Sequence, residues 1–240
     1  GGKAERFAPP DEGRPRGIGP VVLQQGDDLL QLAKDAIARG ADVLGMAGGD
    51  GSQALVASVA MAADVPLVCI PAGTRNHFAL DLGLDRADVP GALDAYDDGV
   101  DTKVDLAEIN GRVFVNNASM GVYAKVVQSA DYRDAKVSTA AAMLPDLLGP
   151  GAKPLDLHYN LPSGEEAAAG QLLLVSNNPY DLAHLRGGGT RERIDGGVLG
   201  VVSLRVNGAA DAHKLAPLRA TGPGRRFAGR RGGRQSAPLG

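Results

Sequence analysis

Residues 48–79, GGDGSQALVASVAMAADVPLVCIPAGTRNHFA, constrain this chain more than any other stretch. Two glycine-bearing turns stand just far enough apart for one helix and one strand between them. The run before them, ADVLGMA at 41–47, is short and apolar, which suits a buried strand ending at Gly48-Gly49. Glycines at 48, 49 and 51 admit a backbone with positive φ and let a ligand approach without meeting a Cβ. Ser52 suits an N-cap, with Leu55, Val56, Val59 and Ala60 in the helix that follows. Such a turn presents unpaired N–H groups and the positive end of a helix dipole, which favours phosphate. Asp50 runs against that. A carboxylate in a phosphate cradle repels its ligand unless Mg2+ or a substrate hydroxyl lies between them, so the turn predicts chemistry as well as binding.

The second turn, PAGTRN at 71–76, follows the apolar run at 66–70. Pro71 fixes the exit from a strand, and Gly73 allows another close approach. Thr74 and Asn76 offer short polar side chains to a phosphate, a ribose or a base edge. They equally suit turn and capping roles for a helix holding Phe78, Ala79 and Leu82. His77, next to that helix start, reads as structural or solvated rather than as a base. Upstream, VVLQQ at 21–25 is strand-like. Leu29, Leu32, Ala33, Ala36 and Ile37 then give a helix one apolar face, with Asp27 or Asp28 at its start and Gly40 at its end. This β-α-β-α-β alternation implies a parallel sheet covered by helices, whose ligands bind outside the carboxyl ends of the strands. Both glycine turns begin at such ends.

From Val104 onward the texture changes. VDLAEI, RVFVNNAS, LDLHYNL, QLLLVSNN and VLGVVSLRV are short β-type runs separated by Gly, Asn and Pro turns, which predicts a second, mainly β domain. An Ala-rich stretch at 123–148 reads as helical in pieces, and STAAAMLPDLL at 138–148 suits contact with acyl chains or packing onto the second domain's sheet. The expected division is a nucleotide domain at 1–103, a β domain at 104–218 and a tail at 219–240. That tail, RATGPGRRFAGRRGGRQSAPLG, lacks apolar periodicity and reads as disordered, with a basic arm or out-of-frame translation as alternatives. With no Trp and 4% aromatic residues, a stacking platform for single-stranded nucleic acid is not expected, and a net charge of −3 gives no global pull toward polyanions. The single Cys69 lies in an apolar run, reads as a core residue and cannot form an internal disulfide, which fits a reducing compartment. No apolar run approaches the ~20 residues of a membrane span, and no signal-peptide core is visible, so a cytoplasmic location is expected.

Taken together, Gly48-Gly49-Asp50-Gly51-Ser52 and Pro71-Ala72-Gly73-Thr74-Arg75-Asn76-His77-Phe78-Ala79 resemble the diacylglycerol kinase catalytic-domain family of lipid kinases. GDD at Gly26, FVNNASMGVYAKVV at Phe114, VSNNPY at Val175 and RIDGGVLGVV at Arg193 extend the resemblance to roughly residues 20–205. GGDGS alone is shared with NAD kinases and phosphofructokinases, whereas the PAGTRN turn at this distance separates the lipid-kinase type. The resemblance implies an α/β fold, with an N-terminal parallel-sheet nucleotide domain and then a β-sandwich, and a cleft for Mg-ATP and a lipid alcohol. It implies that Gly48, Gly49, Asp50, Gly51, Ser52, Gln53 and Ala54 line the ATP phosphates, with Gly73, Thr74 and Asn76 around the nucleotide. Asp50 would organise Mg2+, the phosphates or the incoming hydroxyl, in keeping with phosphoryl transfer by positioning and charge neutralisation.

The chain also departs from that pattern. Relatives open with a strand ending in an N-P-x-S-G type turn, of which Gly1-Gly2-Lys3 looks like the tail. Relatives place a nucleotide-contacting Thr where this chain has Val22. A late Asp-Gly-Glu segment, whose Glu is taken as general base, does not follow Val206. The structural Mg2+ site of bacterial relatives would need an acid at Gly196, and Asp195 stands one residue early, so no metal ligand is assigned. The leading reading is an ATP-dependent lipid kinase acting by transient contact with a membrane surface, without nucleic acid and with a homodimer as one option. The alternatives are a non-catalytic nucleotide-binding remnant and an NAD kinase-like enzyme.

Overall fold

The computed structural model describes residues 17–121, 154–161, 163–180, 191, 193–204, 216–221 and 225–232. The chain divides into two compact units, residues 1–115 with 225–240, and residues 116–224.

The first unit opens with helix α1, Leu29–Ala38. Asp28 caps it by accepting from Gln31 N at 3.1 Å, and Gly40 follows in the left-handed region at φ 90°. Strand β1, Leu44–Gly48, helix α2, Asp50–Ala63, and strand β2, Leu67–Pro71, then form a parallel crossover unit. The register pairs Leu44 with Leu67 and Gly48 with Pro71, so both strands end level. Every residue of β2 is buried, as expected of a strand covered on both faces. Cys69 belongs to this core, and its burial pushes the thiol far up from its ordinary value. Helix α2 packs on β1 and β2 through Ala54, Val56, Ala57, Val59 and Ala60, and the alanines let the helix lie close. Leu55 is 42% exposed, since it lies about 200° around the helix from Ala57.

Helix α3, His77–Asp81, a 3-10 turn at Gly91–Tyr96, strand β3, Gly99–Ile109, and strand β4, Arg112–Phe114, complete the first unit together with a late strand, β11, Arg225–Gly232. The sheet order is β1-β2-β11-β3-β4. It is mixed rather than all parallel: β11 runs parallel to β2 but antiparallel to β3, and β4 is antiparallel to β3.

The second unit is sheet-rich. Strands β5 (Asn117–Gly121), β8 (Leu172–Asn177), β9 (Val198–Leu204) and β10 (Ala216–Thr221) make an antiparallel sheet in the order β10-β9-β8-β5. Strands β6, His158–Asn160, and β7, Glu166–Ala168, form a separate antiparallel pair.

Three observations differ from the sequence reading. Residues 21–25 are not a strand, and Val21, Val22 and Leu23 are 57%, 53% and 41% exposed. Strand preference is largely a preference for packing in a pleated ladder, and among the described residues no strand pairs with this run. Second, the expected boundary at 103/104 falls inside β3, and the units divide at 115/116 because β3 and β4 pair within the first sheet. Third, the Arg/Gly-rich stretch supplies β10 in part and all of β11. There the backbone ladder with β3 does what apolar periodicity does elsewhere. Gly229 is buried where an added Cβ would press on Val104 and Leu82, and Arg230 meets its cross-strand partner Asp101 with Nε 2.7 Å from Oδ1. The Ala-rich stretch at 123–148 lies outside the described residues.

Leu67 is fully buried between the layers and Leu55 faces out. Leu67→Ala should therefore cost about 2–5 kcal/mol in urea unfolding, and Leu55→Ala no more than about 0.5 kcal/mol. Equal losses at the two positions would contradict this orientation of α2.

Candidate functional site

Because β1 and β2 are parallel neighbours ending level, the GGDGS and PAGTRN turns leave the same edge of the sheet side by side. The turns touch through backbone. A Cβ on Gly49 would lie 3.5 Å from Gly73 Cα, and one on Gly73 would lie 2.8 Å from Gly49 N and 2.8 Å from Asn76 Oδ1. None of Gly48, Gly49, Gly51 and Gly73 has positive φ. Gly73 is required instead for close approach, whereas a Cβ on Gly49 would make an ordinary contact. At Gly51 an added Cβ meets nothing within 4 Å.

Helix α2 begins at Asp50, with Gly49 as N-cap and no side-chain capping bond. Ser52 is therefore inside the first turn rather than at the cap. The first intrahelical bond is Gln53 N to Gly49 O at 3.0 Å, which leaves the N–H groups of Asp50, Gly51 and Ser52 without acceptors in the helix. This is an anion-favouring helix start.

Asp50 links the two turns. Its Oδ1 accepts from Phe78 N at 3.0 Å and its Oδ2 from His77 N at 3.2 Å, so one carboxylate from α2 caps the start of α3. Asn76 sits in the left-handed region at φ 51° and closes its own turn, with Oδ1 accepting from Gly73 N at 2.8 Å and Nδ2 donating to Gly73 O at 3.0 Å. Thr74 is exposed beside it. The imidazole of His77 is half-buried and its pKa is lowered by that burial, which outweighs the opposing charge of Asp50.

Three of the expected ligand residues have other work. Gln53 is 1% exposed and Ala54 2%, and both side chains lie on the face of α2 that covers the sheet. Asn76 is 7% exposed with its amide committed to Gly73. Gly48, Gly49, Asp50, Gly51, Ser52, Gly73 and Thr74 remain together at the strand ends. A cavity of about 180 Å3 lined by Met61, Asp64, Pro66 and Asp101 lies at the opposite end of β2.

Sequence reasoning missed Arg191 in the second unit. This guanidinium, 6% exposed, donates to Asn177 O and to Asn116 Oδ1, the latter at 3.2 Å. Asn178, at φ 68°, accepts from Gly196 N at 2.9 Å and donates to Val198 O at 3.0 Å. The Asn pairs of FVNNAS and VSNN thus brace the turns between strands. Buried donors and acceptors have to be matched, which is the signal that paired asparagines at strand ends carry. Asp195, for which no metal role was assigned, accepts from Arg193 Nε at 3.1 Å.

Residues 16–109 match the family described as diacylglycerol kinase catalytic domain. The diacylglycerol kinase of Bacillus subtilis (strain 168) is 38% identical over 96 residues, covering 39% of this chain and 32% of that protein. The diacylglycerol kinase of Mycobacterium tuberculosis (strain CDC 1551 / Oshkosh) is 36% identical over 96 residues, covering 39% and 31%. The chain thus spans about a third of the length of these curated relatives. A crystal structure of a diacylglycerol kinase from Bacillus anthracis str. Sterne shares the fold with a TM-score of 0.60 at 18% identity, covering 82% of this chain and 70% of that one. Residues 16–109 are thus the part of the chain that is similar to the diacylglycerol kinase catalytic domain.

The turn geometry separates two glycines that look alike in sequence. Gly73→Ala should disrupt the contact with Gly49 and lower the urea midpoint, while Gly51→Ala, inside a helix with open space around it, should leave it equal or raise it by up to about 1 kcal/mol in stability. His77 gives a second check. Its folded pKa lies below the unfolded value of about 6.5, so the unfolded chain binds more protons and stability falls as pH drops below 6.5. His77→Gln should flatten the urea midpoint between pH 6.5 and 5.5, and an unchanged slope would remove His77 as its source.

Proposed function

We propose that this chain is the nucleotide-handling part of an ATP-dependent lipid kinase, which transfers the γ-phosphate of Mg-ATP to the hydroxyl of diacylglycerol or a related lipid alcohol. The observation that carries this reading is the open start of α2 lying beside the second glycine turn, with Asp50 between them. The N–H groups of Asp50, Gly51 and Ser52 face the phosphates, Gly49 and Gly73 keep Cβ atoms out of their way, and Thr74 lies beside the nucleotide.

Among the described residues no group of three or more His, Cys, Asp or Glu side chains could hold a metal by itself. One carboxylate still fits Mg2+, which is commonly held by one or two carboxylates together with substrate phosphates. Asp50 is the residue for it, because a carboxylate accepting one N–H at each oxygen retains further acceptor capacity. When bound there, Mg2+ would neutralise phosphate charge. In the transfer, the lipid hydroxyl oxygen forms a bond to the γ-phosphorus, the bond to the β,γ-bridging oxygen breaks, and the hydroxyl proton leaves to a base. Among the described residues no helix is long and apolar enough to cross a membrane, so lipid access through surface contact, on the cytoplasmic side where ATP is found, completes the proposal.

A second reading, nucleotide binding without transfer, keeps the anion-favouring start of α2 and omits the transfer step. Purified chain with γ-labelled Mg-ATP and dispersed diacylglycerol should yield labelled lipid, and Asp50→Ala should lower the rate at least a hundredfold. Binding of ATP with no labelled lipid would favour the second reading, and labelling of NAD instead would favour an NAD kinase-like activity.

A further inference from the structure

Gln53 was expected among the phosphate-lining residues, and that expectation does not explain why its amide is buried. Its Nε2 donates to Met46 O at 2.6 Å and to Ile70 O at 3.2 Å, and it lies 3.5 Å from Gly48 O. Met46 belongs to β1 two residues before Gly48, and Ile70 belongs to β2 one residue before Pro71. One amide therefore ties together the ends of the two strands from which the glycine turns leave. Its own backbone N–H is bonded to Gly49 O, so the tie is anchored at the first turn as well.

The orientation of the amide follows from chemistry. Turned over, it would set Oε1 against carbonyl oxygens, acceptor facing acceptor. In the orientation present, Oε1 is buried with no hydrogen-bond partner. An unsatisfied buried acceptor is costly, and natural proteins hold few of them. Leucine would fill the same space without that cost, and glutamate would bring negative charge onto the carbonyls. What glutamine alone adds is the pair of donated bonds across β1 and β2.

We propose that Gln53 is a positioning residue, which fixes the spacing of the two strand ends and so the meeting of the GGDGS and PAGTRN turns. Its effect on nucleotide rests on the kinase reading above, whereas its effect on the turns does not. Gln53→Leu should remain folded with an unchanged far-UV spectrum. Amide hydrogen exchange at Gly73, His77 and Phe78, whose N–H groups are bonded to Asn76 and Asp50, should rise at least tenfold while Val68 and Cys69 at the centre of β2 stay protected, and ADP should bind about tenfold more weakly. Val56→Ala is the control: it opens space on the same buried face of α2 and should lower the melting temperature without moving turn exchange or ADP affinity.

Unchanged turn exchange in Gln53→Leu, or an equal rise in Val56→Ala, would overturn the proposal. If the unsubstituted protein fails to bind ADP, the kinase reading falls and the exchange data still decide the role of Gln53. If Gln53→Leu fails to fold, the side-chain amide protons of Gln53 in the unsubstituted protein decide it. They should exchange slowly and show couplings to the Met46 and Ile70 carbonyls, and fast exchange would overturn the assignment.

Discussion

The candidate site depends on the contact of two backbones, Gly49 against Gly73. Two turns leaving adjacent parallel strands start about 4.8 Å apart, the spacing of the ladder, and a side chain at Gly73 would force them to splay. Without Cβ atoms the turns can lie against one another, and Asp50 can then reach across to the N–H groups of His77 and Phe78. Asn76, held in the left-handed region, fixes the second turn from within. The contact therefore turns two separate turns into a single surface.

That arrangement bears on the acid in the cradle. Asp50 stands in the first turn of α2 and also caps α3, so its negative charge lies against the N–H groups of two helix starts. Helix starts favour negative charge, and hydrogen bonds to an ionised acceptor are stronger than neutral ones. On the kinase reading proposed above, a phosphate at α2 would meet a carboxylate whose field is already partly taken up by His77 N and Phe78 N. Repulsion between ligand and acid is reduced by the same bonds that set the second turn in place.

Much of this was legible in the sequence, and the parts that were not have physical reasons. The parallel pair, its crossover helix and the two turns were visible because β2 is apolar throughout, α1 has a periodic face and glycines punctuate the strand ends. The meaning of each glycine was not visible, since positive φ and close approach leave the same letter in a sequence. The direction of the Gln53 and Ala54 side chains was hidden for a related reason: motif spacing tells which residues are near one another along the chain, but helical phase turns the fourth and fifth residues of α2 inward. The strand at Arg225–Gly232 was hidden because its place depends on the ladder with β3, more than a hundred residues earlier in the chain, and on the Arg230–Asp101 pair rather than on any local pattern.

The same contrast explains how the two halves of the family-like pattern differ in character. In the first unit the motif residues converge on an open helix start and leave N–H groups for a ligand. In the second, Asn116, Asn177, Asn178 and Arg191 bond to carbonyls, amides and one another inside the sheet. Buried polar groups hold a turn in one geometry because each loses a bond in any other. A motif can therefore recur because it binds or because it builds, and the hydrogen bonds tell which. By that test Asp50, Gln53 and Asn76 build, and the open start of α2 is where binding is to be sought.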